Sequence, residues 1–248
     1  MRPLEGRTIV FVNNFAGPGL GGGEEHLLAL VRATVGAGMH AHVICPKRSD
    51  LRAAAAGAGA IVAPYALEKR NVVRTASRIR KYCRRYDAAV LHTTGYLTNL
   101  LGRLAKRGGR PSLVNTVHVE PGAPRAAGGG RAAQFARDML DRLTAHRADL
   151  VLPVSRAIAA RLVELGYDPD RMQVIPNGID TVTVNRLARG TCDLPATIAD
   201  DAPLVLFAGR LEAVKDVATF VRAAALVAAE RPDARFVVAG EGPLRAEA

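Results

Sequence analysis

The chain predicts an α/β architecture: a parallel sheet with helices on both faces, followed by the opening of a second unit of the same kind. Three observations carry this expectation. Short continuous apolar runs recur, among them Thr8–Val12, Ala41–Cys45, Ala88–Leu91 and Ser112–Val117, and such runs belong to strands buried on both faces. Between them apolar residues return at three- and four-residue steps, the helical period, as at Leu27, Leu28, Val31 and Val35. Glycine and proline punctuate the joins, and strands alternating with helices build parallel sheets.

The first run, Thr8–Val12, leads into a loop holding Gly17, Pro18, Gly19, Gly21, Gly22 and Gly23, and helical periodicity starts at Glu24. Gly36 and Gly38 close that helix, and the strand Ala41–Cys45 stops at Pro46. A helix over Asp50–Ala58 and a strand over Ala60–Ala63 follow. Then come a helix over Val72–Arg85 with the strand Ala88–Leu91, and a helix over Tyr96–Lys106 with the strand Ser112–Val117. Residues 119–130, VEPGAPRAAGGG, read as a flexible loop. Beyond it the pattern gives helix Ala132–His146, strand Leu150–Val154, helix Ala157–Leu165 and strand Gln173–Ile175. No clear period survives from Asn177 to Ala202. A new start follows, with strand Leu204–Ala208, helix Ala218–Ala229 and strand Arg235–Ala239. The expected division is a Rossmann-like domain over 1–178, a linker over 179–202 and a second Rossmann-like domain beginning at 203 and running to 248. One βαβ unit of about 45 residues does not make a stable domain alone, so the second domain is expected to be cut short.

Composition narrows the function classes. The 248 residues are 49% apolar and only 4% aromatic, with no Trp, which leaves little for a base-stacking surface and argues against nucleic acid as a partner. Three widely spaced cysteines make neither a disulfide framework nor a cysteine-rich zinc site, and fit a reducing cytoplasm. The N-terminal apolar run Ile9–Val12 falls far below the length of a signal-peptide core, and no uninterrupted apolar run reaches the length of a spanning helix. The net charge of +11 favours anionic partners of some kind.

In doubly wound sheets ligands bind beyond the carboxyl ends of strands, which singles out a few segments. The loop GPGLGGGEEH opens the first helix, where backbone N–H groups can hold a phosphate or sugar, or simply make a turn. His118 directly follows the strand Ser112–Val117. It suits a hydrogen bond to a sugar hydroxyl, or the role of a bonded loop histidine, and His92 carries the same ambiguity. His26, His40 and His146 read as bland, and no spacing argues for a metal. Arg210 and Lys215 sit between a strand and a helix start, where two cations suit a diphosphate or form a solvated basic loop.

Taken together, "GGGEEHLLALV", "NTVH", "VLPVSRAIAARLVELGYDPDRMQVIPNGID" and "LFAGRLEAVKDVATFVRAAALVAAERPDARFVVAGEGPLR" resemble the family 4 retaining glycosyltransferases of the GT-B fold. The resemblance covers nearly the whole chain. It implies sugar transfer from a nucleotide-sugar donor to a sugar or lipid-linked acceptor, with retention of configuration and without a metal or other cofactor. It also implies roles for particular residues. Arg210 and Lys215 match the pair on the donor diphosphate, Gly22 and Gly23 the glycine-rich loop near the donor phosphates, and His118 the histidine near the donor sugar. Glu241, Gly242 and Pro243 match a turn in the donor domain. Two departures stand out. Asp216 replaces the usual Gly after the Lys, and the family's E-x(7)-E motif and base-binding segments lie beyond the last residue, so nucleotide affinity of these residues alone is expected to be weak.

A second reading from another class is a catalytically inactive remnant that binds an acceptor or a membrane. A nucleotide-dependent dehydrogenase or epimerase fits less well, because the strand Ala41–Cys45 runs into Pro-Lys rather than an acid. On the helix Val72–Arg85 the cations Arg74, Arg78, Lys81 and Arg85 step along one face, with Arg84 beside them and no acid in the helix. Arg103, Lys106, Arg107 and Arg110 crowd the next helix end. This face makes an anionic membrane surface an expected partner and the inner face of the membrane an expected peripheral location.

Overall fold

A computed structural model of the chain describes residues 5–16, 19–65, 67, 71–119, 131–190 and 202–247, with the backbone alone given at 131–134 and 247. The loop expected at 119–130 lies almost wholly outside the described residues, as does much of the expected linker. Two compact units are formed, Met1–Asp180 and Thr181–Ala248.

The first unit is a six-stranded sheet in the order β3-β2-β1-β4-β5-β6, every neighbouring pair parallel. Its strands are β1 Thr8–Asn13, β2 His40–Cys45, β3 Ile61–Pro64, β4 Ala88–Thr94, β5 Ser112–Val117 and β6 Leu150–Pro153. The helices are α1 Gly22–Gly36, α2 Leu51–Gly57, α3 Val72–Arg85, α4 Tyr96–Ala105, α5 Arg131–Ala145 and α6 Arg156–Glu164. Successive side chains of a strand face opposite sides, and β1 shows the consequence. Phe11 packs with Leu27, Val31 and Val43 under α1 and α2. Val10 and Val12 pack with Ile79, Leu101 and Leu162 under α3, α4 and α6. Each apolar run therefore feeds two cores, which is why it lacks polar alternation. Between β1 and β4 the strand order reverses, so the crevice for a ligand opens at their carboxyl ends.

Two expectations on secondary structure fail. Gln173–Ile175 is no strand: a single bridge joins Met172 to Val151. The segment still follows β6, with Gln173 N–H donating to the Val151 carbonyl and Ile175 N–H to that of Pro153, both at 3.0 Å. Pro153 has no N–H to return, and the ladder stops there. Within the expected linker, Thr181–Ala188 forms a helix, α7. Its β-branched Thr181, Val182, Thr183 and Val184 read against helix in the sequence.

The expected surface cluster at the end of α4 is also corrected. Arg103 is 1% exposed. Its Nε donates to the Asn99 carbonyl, Nη1 to the Asp141 carbonyl and the Tyr167 hydroxyl, and Nη2 to Asp141 Oδ1 at 2.5 Å. It ties α4 to α5 and to the turn after α6. Lys106 pairs with Asp149. Arg74, Arg78, Lys81, Arg84 and Arg85 of α3 are exposed. No helix among the described residues is long and apolar enough to cross a membrane.

In the second unit β7, Leu204–Ala208, pairs in parallel with β8, Arg235–Ala239, and α8, Val217–Glu230, makes the crossover. Phe220 of α8 lies 5.4 Å from the Phe207 ring and 6.4 Å from that of Phe236, a small aromatic core.

Candidate functional site

In the first unit the carboxyl ends of β1, β4 and β5 converge on the start of α1. Asn13 ends β1, and its Nδ2 donates to Glu24 Oε1 at 3.1 Å while its Oδ1 accepts the Phe15 N–H at 2.7 Å. Glu24 Oε2 accepts the Gly21 N–H at 3.1 Å, so the carboxylate caps its own helix and ties it to the strand. Gly22 and Gly23 form the first turn, where helical N–H groups have no intrahelical acceptor. A Cβ at Gly22 would meet nothing within 4 Å, and one at Gly23 would meet His118 Cδ2 at 3.9 Å. The glycines thus leave open space over the helix start. At the end of β4, Gly95 takes φ +96, a left-handed value that glycine adopts without strain, and opens α4.

His118 leaves β5 into this space. Its ring stands edge-on to His26 at 5.3 Å. Both ring nitrogens are buried and without a hydrogen-bond partner among the described residues. An unmet buried polar atom costs about 1–3 kcal/mol, which a ligand bonded there removes. Burial, and then the neighbouring His26, push the His118 pKa down to about 4. The ring is neutral at physiological pH, with one nitrogen to donate and one to accept. His26, read as bland, is therefore part of the site. His92 is internal: its Nε2 bonds Thr116 Oγ1 at 2.7 Å and its ring packs on Phe11.

In the second unit the loops after β7 and β8 are stitched together. Leu211 N–H donates to the Glu241 carbonyl at 2.9 Å, and Leu244 N–H to the Leu211 carbonyl at 3.1 Å. A Cβ at Gly242 would fall 2.4 Å from the Leu211 carbonyl oxygen, so only glycine allows the approach. The stitching brings the Arg210–Lys215 loop beside the Glu241–Gly242 turn. Arg210 Nη1 is held by Glu212 Oε1 at 3.0 Å, and the Glu241 carboxylate turns to Arg245. Lys215 ends a single 3-10 turn, and Asp216 starts α8 at φ 49, ψ 47. The position where the family carries Gly is thus left-handed here, and aspartate tolerates that conformation better than most residues.

In the sequence Asn13 and Glu24 carry no individual role, and His26 reads there as bland. Glycine at the helix start with glutamate three residues on is the capping signal that points to Glu24. Among the described residues no group of three or more His, Cys, Asp or Glu could hold a metal ion.

Fold and site together define a Rossmann-like protein of the GT-B kind with a polar crevice at the switch point. The model of Glycosyltransferase Family 4 matches residues 20–183, and that of Glycosyl transferases group 1 matches residues 195–248. The chain belongs to glycosyltransferase family 4. A D-inositol 3-phosphate glycosyltransferase of Thermobispora bispora is 31% identical over 167 residues, 64% of this chain and 38% of that protein. An alpha-maltose-1-phosphate synthase of Mycolicibacterium smegmatis is 32% identical over 165 residues, 63% of this chain and 41% of that one. The matches thus span about two fifths of the length of these relatives. Among solved structures, a glycosyltransferase from Rickettsia africae superposes with a TM-score of 0.67 at 13% identity, over 95% of this chain and 68% of that one. Anabaena HepE, solved in complex with UDP-glucose, gives 0.67 at 15% identity, over 94% and 60%.

Proposed function

We propose that these residues serve a glycosyltransferase that moves a sugar from a nucleotide-sugar donor to a sugar or lipid-linked acceptor with retention of configuration. The observation that carries this reading is the family match across both units. The neutral, unpartnered His118 imidazole in the crevice supports a hydrogen bond to a sugar hydroxyl. As the bond from sugar carbon to diphosphate breaks, the charge on the departing nucleotide falls to Arg210 and Lys215, which replaces Glu212 as the partner of Arg210. No metal or other cofactor enters this chemistry. The protein works in the cytoplasm, where the exposed row Arg74, Arg78, Lys81 and Arg85 draws it to the anionic inner face of the membrane.

The test is a transfer assay on the reading frame in which these residues occur, offered UDP-, GDP- and ADP-sugars. The anomeric configuration of the product is read by NMR. An α-linked product from an α-linked donor is expected. An inverted product refutes retention, and nucleotide release no faster than in a protein-free control with every donor and acceptor refutes the transferase reading. Co-sedimentation at low salt with anionic but not neutral vesicles is expected for the membrane role, and its absence refutes that role alone.

A further inference from the structure

A cleft of about 550 Å³ opens at the amino-terminal edge of the six-stranded sheet, where α4 runs into β5 and α5 into β6. It lies at the opposite end of the strands from Gly95 and His118. The six residues of β5 alone separate the two edges by about 20 Å, at ~3.3 Å per residue.

The cleft wall carries Arg80, Lys106, Arg107, His146 and Arg147 against one acid, Asp149. That acid is already used: its carboxylate pairs with Lys106 and accepts the Leu113 N–H at 2.7 Å. Arg80 is fixed in place, with Nε donating to the Ala105 carbonyl at 2.8 Å and Nη2 to the Leu104 carbonyl at 3.0 Å. These bonds seat the guanidinium on the last carbonyls of α4 and use two of its five donors. Burial, then the charges of Arg107 and Arg84, hold the Arg80 pKa below its ordinary value. Arg107 and Arg147 are exposed at the rim and carry no acidic partner among the described residues. Cations gathered around a walled space repel one another, and an anion in that space removes the cost. Guanidinium groups in particular match phosphate oxygens two bonds at a time.

We propose that this cleft is a second anion site, separate from the candidate donor site, in which Arg80, Arg107 and Arg147 hold a phosphate group. The phosphate comes either from a soluble phosphorylated compound or from a lipid headgroup, and the chemistry at the three arginines is the same. Arg107 and Arg147 close on the phosphate from the rim while Arg80 supplies the preorganised base of the site.

The experiment is calorimetric titration of the 248-residue chain with inorganic pyrophosphate at low salt. Two double variants are compared, Arg107→Ser with Arg147→Ser on the cleft wall, and Arg74→Ser with Arg78→Ser on the exposed row of α3. Both remove two positive charges from the surface, and circular dichroism establishes that both fold. The cleft variant is expected to weaken pyrophosphate binding at least tenfold while the row variant stays within twofold. Equal weakening by both variants overturns the proposal, because diffuse charge then explains the binding. No measurable binding to the unmodified chain also overturns it. Sedimentation with phosphatidic acid vesicles separates the two sources. Binding that pyrophosphate displaces and the cleft variant loses supports the headgroup. Vesicle binding untouched by the cleft variant, with pyrophosphate binding lost, supports a soluble compound.

Discussion

Arg103→Met removes the centre of a buried charged cluster in the first unit. The Arg103 and Asp141 side chains are 2% and 8% exposed, and the guanidinium makes bonds to Asn99, Asp141 and Tyr167. Methionine fills much of the same volume, so packing is largely kept and the loss is electrostatic. Asp141 retains one partner, the Tyr167 hydroxyl on Oδ2 at 2.6 Å, but its charge stays buried without a cation. Breaking a buried pair from one side costs about 3–5 kcal/mol. With a urea m-value of about 2 kcal/mol/M the unfolding midpoint falls by roughly 1.5–2.5 M. All five tyrosines of the chain, Tyr65, Tyr82, Tyr86, Tyr96 and Tyr167, lie before residue 181. Intrinsic tyrosine fluorescence therefore reports the first unit alone. Adding Asp141→Leu and Tyr167→Phe to Arg103→Met removes every orphaned polar group, and most of the stability should return. A loss below about 1 kcal/mol for Arg103→Met, or no recovery in the triple variant, refutes the reading of the cluster.

His92 and His118 are both held near a pKa of about 4 against the ordinary 6.5. An unfolded chain takes up protons that these folded rings refuse, so stability is lost as pH falls from about 6.5 to 4, by about 2 kcal/mol at pH 5 for His92. Urea midpoints at pH 7 and pH 5 measure the loss, and imidazole NMR signals of His118 should not titrate between pH 8 and about 5.5. Arg210→Ala and Lys215→Ala are each expected to lower kcat/KM for the nucleotide-sugar by on the order of 10- to 150-fold, the equivalent of about 1.5–3 kcal/mol. At the left-handed Asp216, Gly should match or exceed Asp in stability, and Ala should cost about 1 kcal/mol. Hydrogen exchange of the α8 amides gives the ranking.

The fold was legible wherever chemistry is local. Ser112–Val117 and Val72–Arg85 read directly as β5 and α3, because a strand buried on two faces must be apolar and a packed helix must repeat its apolar face. What failed depended on distant partners. Gln173–Ile175 has the residues of a strand, but Pro153 on the neighbouring chain segment ends the ladder. Arg103 reads as a surface cation until Asp141 and Tyr167, far along the chain, are folded around it. The same limit applies at the candidate site. Position at the end of β5 marks His118, while nothing local joins it to His26, which reaches it only because β5 and α1 meet at the reversal of strand order.

The most direct measurement compares sugar transfer by the wild-type protein and by its His118→Ala and His92→Ala variants, with nucleotide release followed under identical donor and acceptor concentrations. His118→Ala should lose at least 100-fold in kcat/KM, about 3 kcal/mol of transition-state stabilisation, while tyrosine fluorescence holds and the urea midpoint does not fall. His92→Ala should chiefly lower the urea midpoint, since its bond to Thr116 is internal. Transfer by His118→Ala within twofold of wild type would contradict the assignment of sugar transfer to this crevice.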